Sequence, residues 1–204
     1  MSELNKTPFI TVKDYLDYEE RSKSRHEYVR GQMFAMSGAT EAHEVICNNL
    51  IALIHLHLRN SPCRVFGGNM KLRIEIANSF YYPDVMVTCE PYEAKSVFKA
   101  APTFLAEVLS PSTKQIDLRE KLVAYKQLDS LKEYVIVHQN KIAIEIHRRC
   151  ATTEWEVLKL TSADKFELQS LPGEPLVVPI EDVYAKVEFP LILEEDEEEY
   201  LSSI

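Results

Sequence analysis

From about Glu41 to Arg59 the apolar residues Val45, Ile46, Leu50, Leu53, Ile54 and Leu58 recur every three to four positions. That period predicts a long amphipathic helix with one face against a packing partner. Upstream, Thr11 opens a shorter helical stretch over residues 11 to 22, and EYVRGQMFAM alternates on either side of Gly31 as two strands joined by a turn. Downstream the period drops to two. CRVFGGNMKLRIEI reads as strand, Gly67-Gly68 turn, strand, followed by further strands at Asp84 to Cys89 and Thr103 to Leu109. After the Ser-Pro break, Thr113 or a neighbour caps a second helix that runs to about Leu128. EYVIVHQNKIAIEIHRR then alternates as two strands around Gln139-Asn140, and Trp155 lies in one more. Helix, strands, helix and strands in that order predict an α/β core with β additions.

Three charges interrupt this pattern. In FLAEVL, alternation puts Leu105, Glu107 and Leu109 on one face and Phe104, Ala106 and Val108 on the other. Both faces are otherwise apolar, as in a central strand covered on two sides, where an unpaired carboxylate is costly; Glu107 therefore requires a cation. In YYPDVMVTC, Pro83 holds Tyr82 extended and Asp84 opens the strand, either as a functional carboxylate or as a strand-end polar group satisfied by water or backbone. In the second helix Leu118, Leu122, Tyr125 and Leu128 form the apolar stripe, and Lys121 falls inside it. Lys121 either faces the core as a cation, snorkels to water, or pairs with Asp117 one turn earlier. Two strand carboxylates and an inward lysine are what metal-dependent phosphodiester hydrolysis needs: carboxylates hold a hard ion such as Mg2+, and the lysine orients or deprotonates the attacking water.

Composition narrows the setting. The 204 residues suffice for one core-bearing domain, expected over residues 1–190, and no run approaches the roughly 18 apolar residues of a membrane span. No secretory leader is visible, so a soluble cytoplasmic protein is expected. Cys47, Cys63, Cys89 and Cys150 form no C-x-x-C pair and are expected as reduced thiols, outside any zinc site or disulfide framework. Net charge is −9, but six of those charges sit in EEDEEE, within an expected acidic tail over 191–204, which leaves −3 elsewhere and room for a local basic groove.

EYVRGQMFAMSG, AHEVICNNL, YYPDVMVTC, FLAEVLSPST, the D-x-x-x-K-x-x-x-Y of Asp117, Lys121 and Tyr125, and SLKEYVIVHQ occur in that order. On these motifs the chain resembles the Uma family of restriction-endonuclease-like proteins, within the PD-(D/E)xK nuclease superfamily. The resemblance implies a restriction-endonuclease-like α+β core with a central mixed sheet flanked by helices, an extra N-terminal hairpin and C-terminal strands. It implies Asp84, Glu107 and Lys121 as the catalytic set, with Mg2+ (or Mn2+) held by Asp84, Glu107 and the carbonyl of Val108. The superfamily lysine usually stands two residues after the Glu, where this chain has Leu109; Lys121 looks like its migrated replacement. The implied substrate is DNA, with RNA or branched DNA as further options, and the implied assembly is a homodimer, since cutting a duplex takes two sites.

Four residues are candidates for a supporting role. Glu27 matches a family position, although a hairpin ion pair accounts for it equally. His43 either contacts the site or is a helix-start histidine satisfied locally. Asn69 stands where relatives are expected to carry Asp, as a lost metal contact or as a turn residue. Asp117 completes the group. His55 and His57, two apart on a helix, face different ways and are not expected to share a metal. A catalytically silent nuclease fold that binds nucleic acid or protein is the rival reading; the acidic balance and Asn69 favour it, and a charge kept inside a buried strand favours the enzyme.

Overall fold

The computed structural model describes residues 9–109, 116–151, 154–161 and 165–189, without the side chains of 116–118; the acidic tail expected over 191–204 lies outside them. Helix α1 (Val12–Glu19), whose N-terminus is capped by the Thr11 hydroxyl accepting from the Asp14 N–H, leads to the hairpin of β1 (His26–Val29) and β2 (Gln32–Ala35). That hairpin turns on two residues with positive φ, Arg30 at 49° and Gly31 at 92°, as a right-twisted two-residue loop requires. The long helix α2 (Glu41–Leu58) follows, capped by Thr40. Then come β3 (Arg64–Gly67), β4 (Lys71–Ile74), β5 (Ser79–Tyr81), β6 (Val85–Thr88), β7 (Phe98–Lys99) and β8 (Pro102–Leu109). Helix α3 (Ile116–Lys126) precedes β9 (Glu133–His138), β10 (Ile144–Arg149) and β11 (Trp155–Leu160), and the described chain closes with β12 (Lys165–Leu168), β13 (Leu176–Pro179) and α4 (Ile180–Val183).

The central sheet is mixed, in the order β11-β10-β9-β8-β6-β3, with β8 and β9 parallel and the other pairs antiparallel. Ile46, Leu50, Ile54 and Leu58 of α2 pack on one of its faces against Val85, Val87, Phe104, Ala106 and Val108. Leu105 and Leu109 on the other face meet Ala124 and Tyr125 of α3, Leu128 just beyond it, and Leu72, Ile74 and Tyr81 of a second sheet, β2-β1-β5-β4-β7. β8 is thus covered on both sides, as its two apolar faces predict. Tyr15, Tyr28 and Phe80 form a smaller aromatic core between α1 and the second sheet.

The strand, turn and strand expected around Gly67-Gly68 are present, and the turn carries the chain between layers: β3 joins the central sheet and β4 the second one. One expectation is corrected: the four cysteines are not all reduced thiols. Cys63 and Cys89 form a disulfide with Cα atoms 4.0 Å apart, while Cys47 and Cys150 are free. The cause is register: Arg64 pairs with Thr88 across β3 and β6, which makes the next residue out on each strand a facing pair, and linear spacing does not show this.

Glu133 opens β9 fully buried. Its carboxylate takes Arg148 Nε at 2.9 Å and the N–H groups of Gln169 and Ser170, each at 2.9 Å, so one side chain ties the segment after β12 to β9 and β10 of the central sheet. Among the described residues, no helix is long and apolar enough to cross a membrane.

Candidate active site

Asp84 and Glu107 reach one cavity from neighbouring strands. β6 and β8 pair with Val85 opposite Ala106, so Asp84, one residue before β6, stands beside the C-terminal end of β8. Its Oδ2 accepts the Val108 N–H at 2.8 Å and lies 3.1 Å from Nε2 of His43. The N–H and C=O of a strand residue leave from the same edge, so the Val108 carbonyl opens on the Asp84 side too. Glu107 projects from the opposite face of β8 and is 7% exposed; Tyr125 of α3 donates its hydroxyl proton to Oε1 at 2.7 Å.

Lys121, one turn before Tyr125 on α3, is also 7% exposed. It does not snorkel. Its Nζ lies 2.9 Å from Glu27 Oε1 and 3.8 Å from Glu107 Oε1, and it stands 5.9 Å from the Tyr81 ring centroid. Glu27, on β1, also accepts from the Tyr82 N–H at 3.4 Å. The hairpin explanation for Glu27 is corrected by this geometry: across the hairpin it faces Phe34, and its cation comes from α3. The side chain of Asp117, the other partner considered for Lys121, lies outside the described residues.

His43, in the first turn of α2, lines the cavity and reaches Asp84 with its ring, while its backbone N–H donates to the capping Thr40 hydroxyl. Asn69 is exposed in the turn after β3, where its Oδ1 accepts from Arg25 Nη1 at 3.2 Å; Arg25 also donates to the Gly68 carbonyl and lines the cavity. Its part is to hold that arginine. His57 reaches the Pro172 carbonyl at 3.0 Å and His55 is exposed, so the two do not meet. Cys47 and Tyr125 had no assigned part in the chemistry: Cys47 reads as helix core, and Tyr125 was visible as the last residue of D-x-x-x-K-x-x-x-Y, yet its bond to Glu107 appears only when α3 packs on β8.

The cavity encloses about 700 Å³. Its wall carries the carboxylates of Glu27, Glu44, Asp84, Glu107 and Glu120 against Arg25, Lys121 and His43, an acidic balance that suits a cation. Burial, and after it the charge of Asp84, push the Glu107 carboxyl well above its ordinary range, against the opposing pull of Lys121 and the Tyr125 bond. Burial and the Glu107 charge push the Tyr125 phenol up as well, which keeps it a donor. For His43, burial works against protonation, but the bond to Asp84 and the charges of Asp84 and Glu44 outweigh it and raise its pKa.

A carboxylate raised in the folded state binds its proton more tightly there than in the unfolded chain. Its contribution to stability is complete below the unfolded value of about 4.5 and is lost as pH rises through the higher folded value. In the presence of a chelator, Glu107→Gln should therefore melt no lower than wild type at pH 5 and clearly higher at pH 8, while Lys121 keeps Glu27 as its partner. A chelated variant melting far below wild type at pH 8 would mark Glu107 as a structural ion-pair partner instead.

Comparison with known proteins bears on the family and the fold. The profile of the Uma2 family, described as "Putative restriction endonuclease", matches residues 12–178. The uncharacterized protein slr1290 of Synechocystis sp. is 36% identical over 167 residues, covering 80% of this chain and 87% of the relative. A second uncharacterized protein of the same organism, sll1609, is 29% identical over 157 residues, covering 76% and 89%. The crystal structure of "a putative nuclease belonging to DUF820" from Anabaena variabilis is similar in fold, with a TM-score of 0.72 at 18% identity over 88% of this chain and 99% of that one.

Proposed function

Since the chain belongs to the Uma2 family of restriction-endonuclease-like proteins, we propose that it is a metal-dependent nuclease that hydrolyses phosphodiester bonds in DNA. One observation carries the reading: α3 brings a buried ammonium to within 3.8 Å of a carboxylate on the central strand, in one cavity with a second strand carboxylate. The donor set fits Mg2+ or Mn2+, because Asp84, Glu107 and the Val108 carbonyl are hard oxygens and the acidic wall favours a divalent cation. Such an ion, when bound, would polarise the scissile phosphate and lower the pKa of a coordinated water.

The chain's own residues supply the rest. Asp84 is held by the Val108 N–H, and Glu107 by the Tyr125 hydroxyl, so both carboxylates are oriented before any ligand arrives. Glu27 anchors Lys121 at 2.9 Å, and in that position the lysine acts as a cation that orients the attacking water and meets the charge developing on the phosphoryl oxygens. Arg25, on the cavity wall, is placed to contact a neighbouring phosphate.

Calorimetric titration with Mg2+ and Mn2+, paired with cleavage assays on duplex DNA, branched DNA and RNA, tests the proposal. Wild type should bind metal and cut DNA only with metal present, and Asp84→Ala should lose both. Equal metal binding by the two proteins would remove Asp84 from the site. Nucleic-acid binding without metal-dependent cleavage of any substrate would favour the silent interaction module.

A further inference from the structure

His43 and Cys47 are one turn apart on α2 and share its inward face. Nδ1 of His43 lies 3.6 Å from Sγ of Cys47, and Nε2 lies 3.1 Å from Oδ2 of Asp84. One ligand atom from each of the three residues falls within 4.8 Å of the others. We propose that His43, Cys47 and Asp84 form a thiophilic metal site for Zn2+, distinct from the all-oxygen Mg2+ set and sharing only Asp84 with it.

The chemistry of the donors selects the ion. One imidazole nitrogen, one thiolate sulfur and one carboxylate oxygen make a mixed, borderline-soft set that Zn2+ takes readily, whereas Mg2+ prefers oxygen throughout. Ligand atoms on a tetrahedral zinc with bonds of about 2.0–2.3 Å stand roughly 3.3–3.8 Å apart; since one ion takes a single ring nitrogen, the trio, spread over at most 4.8 Å, closes with side-chain shifts of about 1 Å and a turn of the His43 ring that aims that nitrogen between Sγ and Oδ2. Two of the ligands ride on one rigid helix, so closing the set orders little that is not already fixed. The residues line the cavity, which leaves a fourth position for water. Binding forms a Zn–S bond as the Cys47 S–H bond breaks, and the proton leaves to solvent. Burial first, and after it the charges of Asp84, Glu44 and Glu107, oppose a lone thiolate at Cys47; the charges, unlike the burial, favour a dication there. Occupancy by Zn2+ would engage Asp84, so on the nuclease reading above Zn2+ would inhibit; the site itself does not depend on that reading.

Co2+ serves as the spectroscopic stand-in for Zn2+. Cys63 and Cys89 are bonded to each other, so in a Cys150→Ser protein kept free of reductant Cys47 is the remaining free thiol. Stripped with chelator and titrated with Co2+, that folded protein should develop a sulfur-to-cobalt charge-transfer band in the near ultraviolet. The band should saturate at one equivalent and be erased by one equivalent of Zn2+. Cys47→Ala in the same background should lose the band, and Asp84→Asn should weaken Co2+ binding at least about 10-fold. No charge-transfer band in the Cys150→Ser protein would overturn the site, as would a band that persists without Cys47. Neither reading involves nucleic acid or cleavage, so failure here leaves the nuclease proposal standing, and failure of that proposal leaves this one to its own test.

Discussion

Replacing Lys121 with methionine should cut metal-dependent cleavage by at least about 100-fold, the scale of losing a group that acts on the reacting water. The stem stays and the charge goes. Because Lys121 is buried between Glu27 and Glu107, the change should also destabilise the metal-free protein by about 3–5 kcal/mol, the usual cost of leaving a buried charge without its partner. The two effects separate in a double variant. Adding Glu27→Gln to Lys121→Met removes one of the stranded charges and should recover part of the melting temperature without recovering cleavage. Lys126→Met, whose wild-type ammonium lies 5.3 Å from the Trp155 ring centroid on the outer side of α3, should turn over like wild type. Turnover unaltered in Lys121→Met, assayed below its melting temperature, would exclude Lys121 from the mechanism and reduce it to a structural cation.

Glu133→Ala should be the most destabilising change away from the cavity, by about 3–5 kcal/mol in urea unfolding. It strands the Arg148 guanidinium, which among the described residues keeps its bonds to Glu156 and the Glu167 carbonyl, and it orphans the N–H groups of Gln169 and Ser170. Those groups fasten the β12 segment to β9 and β10, so that segment should lose hydrogen-exchange protection first. Glu133 is no part of the cavity wall, and the affinity of the folded protein for Mn2+ should not change. A cost below about 1 kcal/mol would mean that water replaces the carboxylate and that the latch does not hold.

The pattern of side chains along the chain carried the local decisions. Helical spacing over α2 and α3, alternation over β8, β9 and β10, and the Thr11 cap all follow from which face of each segment is apolar, and that is written within a dozen neighbouring residues. The anomalous charges were legible for the same reason: Glu107 and Lys121 stand where an apolar residue belongs, and both are buried. β5 and β7, of three and two residues, are too short to show any period; β5 exists because β1 and β4 flank it with hydrogen bonds, and β7 because β4 offers its free edge.

Which groups meet was decided only by the tertiary structure. No spacing rule joins Glu27 to Lys121, His43 to Asp84, Tyr125 to Glu107 or Cys63 to Cys89, because each pair is made by strand register or by a helix crossing a sheet. The sequence by itself determined that a carboxylate inside β8 needed a cation, because burying a charge is costly wherever the chain goes. It did not determine that Lys121 would divide itself between Glu27 and Glu107, or that the helical neighbours His43 and Cys47 would meet Asp84 at the edge of the same cavity. Those contacts depend on long-range closure of the chain, where a shift of one residue in register would send every side chain to the opposite face.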